Sequence, residues 1–470
     1  MGQPNEVLAG CLHQLGWSPR QLALQINRLY QRGAVSVSAP YHWRDAGKVP
    51  RPPVPSLAAR VLSAALGRPV TVEELWGGEA QDSPLVHLAS SGLTEEWSPE
   101  GTAQLTRDWL HGGLVDRRLF LAVSGTALAQ AVWAYLDSDS RRVSPPVLPV
   151  SDDGPDTLIN QIEKSVPMLQ ALDDTHGGAA HLGYVGAQVR AVALVLNDGD
   201  YSGNAQRRLL VALADLAQLA GWKAFDASQH GLAQRYYFTA LRAAHDVGYP
   251  TMAAHTLADL AVQAVARHDH ADAVSLAEAA NRQAESTSPG VRACVQSRLA
   301  HAYAANGQIA EFERATADAL EAVVRRQPDE EPDWLYYLTP AHIECQAGYS
   351  YVIAGRQAMA DGETRSSRAL LRRGIHLLSQ GAHGLPLDDP SQRRALYEGA
   401  WLALGYAGAG KLDEACSVTE LAIQRLGTVQ SPRSVGLLRD LERDLTRRRR
   451  SRVVQAVLPD LQSALARQSA

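Results

Sequence analysis

The 470-residue chain is 46% hydrophobic and 20% charged, with a net charge of −5. This is the composition of an ordinary folded protein with ample core, and its length suggests two to four domains. The small net charge excludes a chain that coats nucleic acid or a membrane surface along its whole length, so any such role belongs to a local patch.

Residues 1–78 read as a compact all-helical block. Val7, Leu8, Cys11, Leu12 and Leu15 form one apolar face, and Gly16 ends that helix. Ser18-Pro19 offers an N-cap and a first-turn proline for a second helix through Asn27. A loop with Gly33 leads to a third short helix, Tyr41-His42-Trp43-Arg44-Asp45, which Gly47 stops. A fourth runs from Leu57 to Leu66, and Thr71-Val-Glu-Glu74 makes a capping box for a fifth ending near Trp76. The block holds eight basic and four acidic residues, a balance of +4 on an acidic chain. Local positive charge of that kind favours phosphate contact.

Residues 79–155 read as a linker with one apolar helix, 114–137. Arg117-Arg118-Leu119-Phe120-Leu121 looks like a twin-arginine export signal, but it follows more than a hundred residues and an export signal opens a chain. The run carries Ser124, Thr126 and Gln130 and only just reaches spanning length, so a buried helix is expected and no membrane segment. Residues 1–20 lack a basic start followed by an apolar block, so no leader is expected.

From 156 to 428 the pattern is helical throughout, with no convincing strand. Helix pairs recur: Leu213–Gly221 with Gly231–Ala240, Leu257–Arg267 with His270–Ala280, Arg298–Gly307 with Phe312–Ala319, and Ala400–Gly410 with Ala415–Ala422. Segments 156–196 and 338–380 supply two further pairs. Small residues stand at fixed offsets in the second helices, where Ala233, Ala273 and Phe312 are spaced by 40 and 39 residues. This resembles the tetratricopeptide repeat, in a longer-helix form of the usual period. A last basic helix is expected within 429–470, over about 433–467. Its Arg447–Arg450 run reads as a solvated face.

Gly405-Tyr406-Ala407-Gly408-Ala409-Gly410-Lys411-Leu412 matches seven of the eight positions of a phosphate-binding loop. Such a loop follows a buried strand, whereas residues 394–404 have helical periodicity. Leu412 also removes the magnesium-binding hydroxyl. The stretch is expected to be a repeat turn. The four cysteines, Cys11, Cys294, Cys345 and Cys416, lack metal-ligand spacing and read as buried small side chains in a reducing, cytoplasmic setting. His268 and His270 lack a partner acid or cysteine and read as turn residues. No local motif assembles a catalytic site, so no enzyme, cofactor or metal is expected.

The words LGWSPRQLALQIN, HWRDAGKVPRPPVP and LGRPVTVEELW, in residues 12–76, resemble a set of actinobacterial, Streptomyces-type transcriptional regulators. In that set a Cro/phage-repressor-like helix-turn-helix domain precedes a tetratricopeptide-like region. The resemblance implies an all-α protein: a five-helix DNA-binding domain, then a helical-repeat superhelix. It implies control of secondary metabolism or differentiation. Ser36, Ser38, Tyr41, His42 and Arg44 would reach bases or phosphates from the third helix and its approach, with Arg20, Gln21, Lys48 and Arg51 gripping the backbone. Trp43 is expected in the core. The partners would be a double-stranded DNA operator, a small-molecule or peptide effector in the repeat groove, and a second copy, since one small domain covers one half-site. The alternative is a tetratricopeptide-type interaction scaffold that no longer binds DNA.

Overall fold

The structure is a computed structural model. It describes residues 4–29, 35–50, 54–66, 70, 72–77, 95–111, 157–198, 201 and 203–468, with short stretches between 122 and 138. Among the described residues the chain forms twenty α-helices and no strand. It is an all-α helical-repeat superhelix preceded by a small helical domain.

That domain has five helices, as expected: α1 (Glu6–Gln14), α2 (Pro19–Leu29), α3 (Ala39–Asp45), α4 (Val54–Leu66) and α5 (Val72–Trp76). They bury Leu8, Leu22, Ile26, Leu62 and Trp43 around one small core. Trp43 meets the edge of Trp76 at 6.4 Å, which pins α3 to α5. Asn5 caps α1 by accepting from the Leu8 N–H at 2.8 Å, and its amide donates to the Leu75 carbonyl at 2.6 Å. The Asn27 amide exchanges two hydrogen bonds with the backbone of Val35, at 2.7 and 2.8 Å. One side chain thereby clamps both ends of the connection between α2 and α3.

Within the stretch read as a linker, Pro99–His111 form α6. It docks on the body rather than standing free. Trp109 stacks on Tyr236 at 4.4 Å and its indole donates to Thr239 at 2.9 Å. Arg242 lies over Trp97 at 4.3 Å and donates to the Glu95 and Glu96 carbonyls. Polar punctuation suggested a linker, but buried aromatic anchors outweigh it. The apolar helix expected over 114–137 lies largely outside the described residues. Of it, Val123, Leu128, Val132 and Tyr135 join the main core.

The body is built from helix pairs: α7 (Thr157–His176) with α8 (Gly178–Asp198), α9 (Gly203–Asp226) with α10 (His230–Val247), and α11 (Pro250–Ala266) with α12 (His270–Ala284). Then come α13 (Pro289–Ala305) with α14 (Ile309–Val324), α15 (Pro340–Ala360) with α16 (Thr364–Leu378), and α17 (Gln392–Gly408) with α18 (Leu412–Arg425). Five of the turns inside pairs share one geometry. Ser228, His268, Gly307, Gly362 and Gly410 each adopt a positive φ, between 58° and 83°. The following N–H reaches back five residues, as from Lys411 to the Tyr406 carbonyl at 2.9 Å. This is the αL helix stop, which satisfies carbonyls that the helix end leaves open. The phosphate-loop look-alike is therefore the end of α17 and one of these turns. Lys411 lies over Tyr406 and near Glu414, with no phosphate cradle around it.

Small residues let the helices of a pair approach closely. A Cβ on Gly374 would stand 2.7 Å from the Gly348 carbonyl oxygen, so α15 and α16 cross where only glycine fits. All four cysteines are buried and free.

The single basic helix expected at the C-terminus is two helices, α19 (Pro432–Thr446) and α20 (Arg452–Arg467). The arginine run forms the turn between them. Arg447 and Arg448 fold back onto Asp444 there, at 3.0 Å each. The hydrophobic pattern does not stop at the turn. Leu438, Leu441 and Leu445 of α19 and Val454, Val457 and Leu461 of α20 share one core with α17 and α18. The pair extends the stack.

Among the described residues one helix, within Gly178–Asn197 of α8, is long and apolar enough to cross a membrane by length and composition. Its Val185, Val189 and Val192 are packed in the main core.

Candidate functional site

The superhelix closes on itself. Residues 176–179 meet residue 430 through two backbone hydrogen bonds, from the Gln430 N–H to the His176 carbonyl at 2.8 Å and from the Ala179 N–H to the Gln430 carbonyl at 3.2 Å. Asp173 on α7 is the electrostatic latch. Lys223 of α9 donates to one of its oxygens at 3.1 Å, and the Arg393 Nε of α17 lies 3.2 Å from the other. Burial pushes the Asp173 carboxyl up, but Arg393 and Lys223 together hold it below the usual carboxylate value. Asp226, at the end of α9, accepts from Ser431 at 2.9 Å, from Arg433 at 3.2 Å and from the Gly178 N–H at 3.0 Å. Residues more than two hundred positions apart thereby join.

Closure leaves a cavity of about 380 Å³ inside the ring. Its wall is one stripe from the first helix of each pair, because residues three and four apart share a helix face. Gln170, Asp173 and Asp174 come from α7, Gln218 and Trp222 from α9, and His255 from α11. Ser297 and Arg298 come from α13, His342, Gln346 and Tyr349 from α15, and Arg393, Arg394, Tyr397 and Glu398 from α17. Arg433 of α19 completes it.

A strap between α14 and α15 covers one side. Its Asp333–Leu335 turn holds Trp334 flat on His255, with ring centres 3.9 Å apart and planes 5° apart. Tyr336 donates to Asp174, and the Tyr337 hydroxyl lies 3.3 Å from Arg298. The strap lengthens this repeat, so the turn residues Gly307 and Gly362 stand farther apart than the 39–40-residue period of the preceding turns.

The electrostatics are those of a partly buried, charged interior. Arg298 pairs with buried Asp259 at 2.8 Å, which also accepts from the Gln218 amide at 2.6 Å. Arg394 pairs with Glu398 at 2.6 Å, and Glu398 also accepts from the Ala382 N–H at 2.7 Å. His255 is 4% exposed and its Nδ1 has no hydrogen-bond partner. Burial, reinforced by Arg298, holds it well below the usual imidazole value, so it is neutral. His342 is driven down to about 3 by burial and by Arg394. A guanidinium-rich, aromatic, partly desolvated pocket of this kind suits recognition more than proton transfer.

None of the described residues expected to read DNA borders this cavity. They stand on the N-terminal domain, at the start of α2 and on or beside α3. Arg20, Gln21, Ser36, Ser38, Tyr41, His42 and Lys48 are exposed. Gln21 is engaged in capping α2: its side-chain oxygen accepts from the Ser18 N–H at 2.6 Å. Arg44 is only half-exposed and turned to its neighbour, with Nε 2.6 Å and Nη2 3.1 Å from the Asp45 carboxylate. Arg51 lies outside the described residues. Trp43 is buried, as expected.

Sequence reading missed the cavity. One signal was available: Trp222, Arg298, Tyr349 and the Arg393-Arg394-Tyr397 group interrupt alanine- and leucine-rich first helices at helical spacing. The latch itself had no local signal.

Residues 8–76 match the family described as the SP15 N-terminal domain. That match replaces the Cro/phage-repressor assignment of this block. Among curated proteins, none matches the chain. Two solved structures of a Podosopora anserina putative kinesin light chain with nearly identical TPR-like repeats are similar in part. One, a point variant of that protein, is 20% identical, covering 47% of this chain and 98% of that one at a TM-score of 0.29. The other is 20% identical, covering 46% and 97% at a TM-score of 0.28. At that identity and TM-score the likeness says nothing of what this chain binds.

Proposed function

We propose that this chain is a binding protein rather than a catalyst, a helical-repeat scaffold whose closed ring captures a ligand in its central cavity. The observation that carries the reading is the cavity itself. Inward faces from six first helices and α19 converge on one space lined by arginines and aromatic rings. Solenoids use their concave faces for recognition, and closure converts an open groove into a pocket of ligand size. Ligand contacts with both sides of the latch would tighten the ring, which supplies the differential affinity a sensor needs.

Ser297→Phe puts a ring into that space. Fractions of a cell extract containing the ligand are expected to raise the melting temperature of the full chain and to leave the Ser297→Phe variant unmoved. A site filled a hundredfold above its dissociation constant adds about 2.7 kcal/mol. If no fraction stabilises the wild type, or if both proteins shift alike, the reading falls.

A second reading, a DNA-binding regulator acting as a homodimer in the cytoplasm, has one observation in its favour. Ser38, Tyr41, His42 and Lys48 present an exposed polar and cationic strip on and either side of one short helix. Asp45 occupies Arg44 and puts negative charge beside the strip. Asp45→Ala is therefore expected to tighten DNA binding, and Tyr41→Ala to weaken it, with an affinity that falls as salt rises. No binding to genomic fragments at low salt, with or without ligand, would leave the scaffold alone.

A further inference from the structure

The hydrogen-bond inventory of the cavity is lopsided. Its three acids are fully engaged. Asp173 is held by Lys223 and Arg393, Asp174 by Arg393 and Tyr336, and Glu398 by Arg394 and a backbone N–H. One of the cations is not. A guanidinium carries more donors than one carboxylate contact uses. Arg433 commits only its Nε, to Asp226 at 3.2 Å, and among the described residues neither of its terminal nitrogens has a hydrogen-bond partner.

The guanidinium groups gather around one ring. Arg433 lies 5.0 Å, Arg393 5.7 Å and Arg298 5.9 Å from the Trp222 ring centre. They arrive from three different helices. Arg433 also stands 4.3 Å over Tyr397, so the guanidinium with the most unused donors is flanked by aromatic faces. His255 adds a neutral, buried ring nitrogen without a partner on the same wall.

We infer that the cavity takes a small aromatic acid, its anionic group on the terminal nitrogens of Arg433 and its ring body against Trp222, Tyr397 and Tyr349. A planar anion matches a guanidinium fork, and such charge-assisted bonds gain strength where water is excluded. Cationic and amine ligands are disfavoured, because every lining carboxylate already has its partners. A space of about 380 Å³ holds two or three fused or linked rings and excludes a folded protein element. This inference rests on the ligand-binding reading and names the class of ligand.

The test uses two fluorescent probes on the full chain. One is 8-anilinonaphthalene-1-sulfonate, an aromatic anion. The other is N-phenyl-1-naphthylamine, the same rings without the sulfonate. The anion is expected to saturate a single site and to bind more tightly than the neutral probe. Arg433→Met should weaken the anion about tenfold or more and leave the neutral probe within about twofold, a difference set by the lost charge-assisted bonds. Tyr397→Leu should weaken both. Retained binding of the neutral probe shows that the cavity of the Arg433 variant is still formed. If that variant does not fold, Arg433→Lys keeps the charge without the fork and must still lose more of the anion than of the neutral probe.

Equal affinity of the two probes for the wild type, or an Arg433 variant that changes both alike, overturns the acid preference and leaves a ligand-binding ring. Saturation by neither probe overturns both.

Discussion

Asp173→Ala is expected to be among the most destabilising single substitutions in the body. The carboxylate is 3% exposed and lies between Lys223, whose side chain is fully buried, and Arg393. Removing one member of a buried ion pair costs about 3–5 kcal/mol, because the partner charge stays behind without compensation. Here two cations are left. Arg393 borders the cavity and keeps Asp174 at 3.2 Å, so Lys223 bears most of the penalty. Asp173→Ala/Lys223→Met should therefore recover a large part of the loss, since the methionine fills similar volume without a charge. Urea melts of the three proteins measure both quantities. A single variant within about 0.5 kcal/mol of wild type, the range of ordinary surface changes, would show that this contact does not hold the ring shut. A double variant no better than the single one would place the cost elsewhere.

The latch also marks the limit of what could be read in advance. Local features were legible. The five helices of the N-terminal domain follow from capping residues and apolar spacing, and the buried position of Trp43 follows from its neighbours. Six helix pairs were visible because each turn breaks a strong periodic pattern. Glycine marks four of those turns, at 177, 307, 362 and 410, whereas Ser228 and His268 take a left-handed conformation with a side chain. Closure was not legible. Asp173 and Arg393 are ordinary polar residues on amphipathic helices until the superhelix brings them together. The strap at 333–338 was equally hidden, since its Pro332 and Thr339-Pro340 boundaries look like any loop. The C-terminal arginine run misled for a related reason. Its composition suits a helix face, but Asp444 captures Arg447 and Arg448 and the chain turns there.

Acid is expected to open the body well before the ordinary carboxylates are protonated. Several histidines are held neutral chiefly by burial: His255 lies well below the usual imidazole value, His301 and His342 are pushed down to about 3, and His230 to about 4. His301 is the most enclosed, at 2% exposure, with its Nδ1 2.8 Å from Ser350. An unfolded histidine titrates near 6.5. Between that value and the depressed one, the unfolded chain binds the extra protons, so stability is full above about pH 6.5 and falls as pH falls. Asp215 works in the opposite sense. Burial raises its carboxyl to about 7, so the native state holds the extra proton between there and about 4, and acid favours it. Burial raises Asp259 and lowers His255, which act in opposite senses; Asp215 alone does not offset the other three imidazoles. At about 1.4 kcal/mol per pH unit for each group, the net loss from pH 6.5 to 4 is on the order of 6 kcal/mol. Below that, protonation of Asp173 removes the latch as well, because its folded value lies under the unfolded one. Urea melts at pH 7, 5.5 and 4 should show a steep acid limb, and His301→Gln should shrink the difference between pH 7 and 4 by about 3 kcal/mol. Equal stability at the three pH values, or an unchanged limb in the His301 variant, would mean that these imidazoles reach water in the native protein and that the interior is wetter than its packing implies.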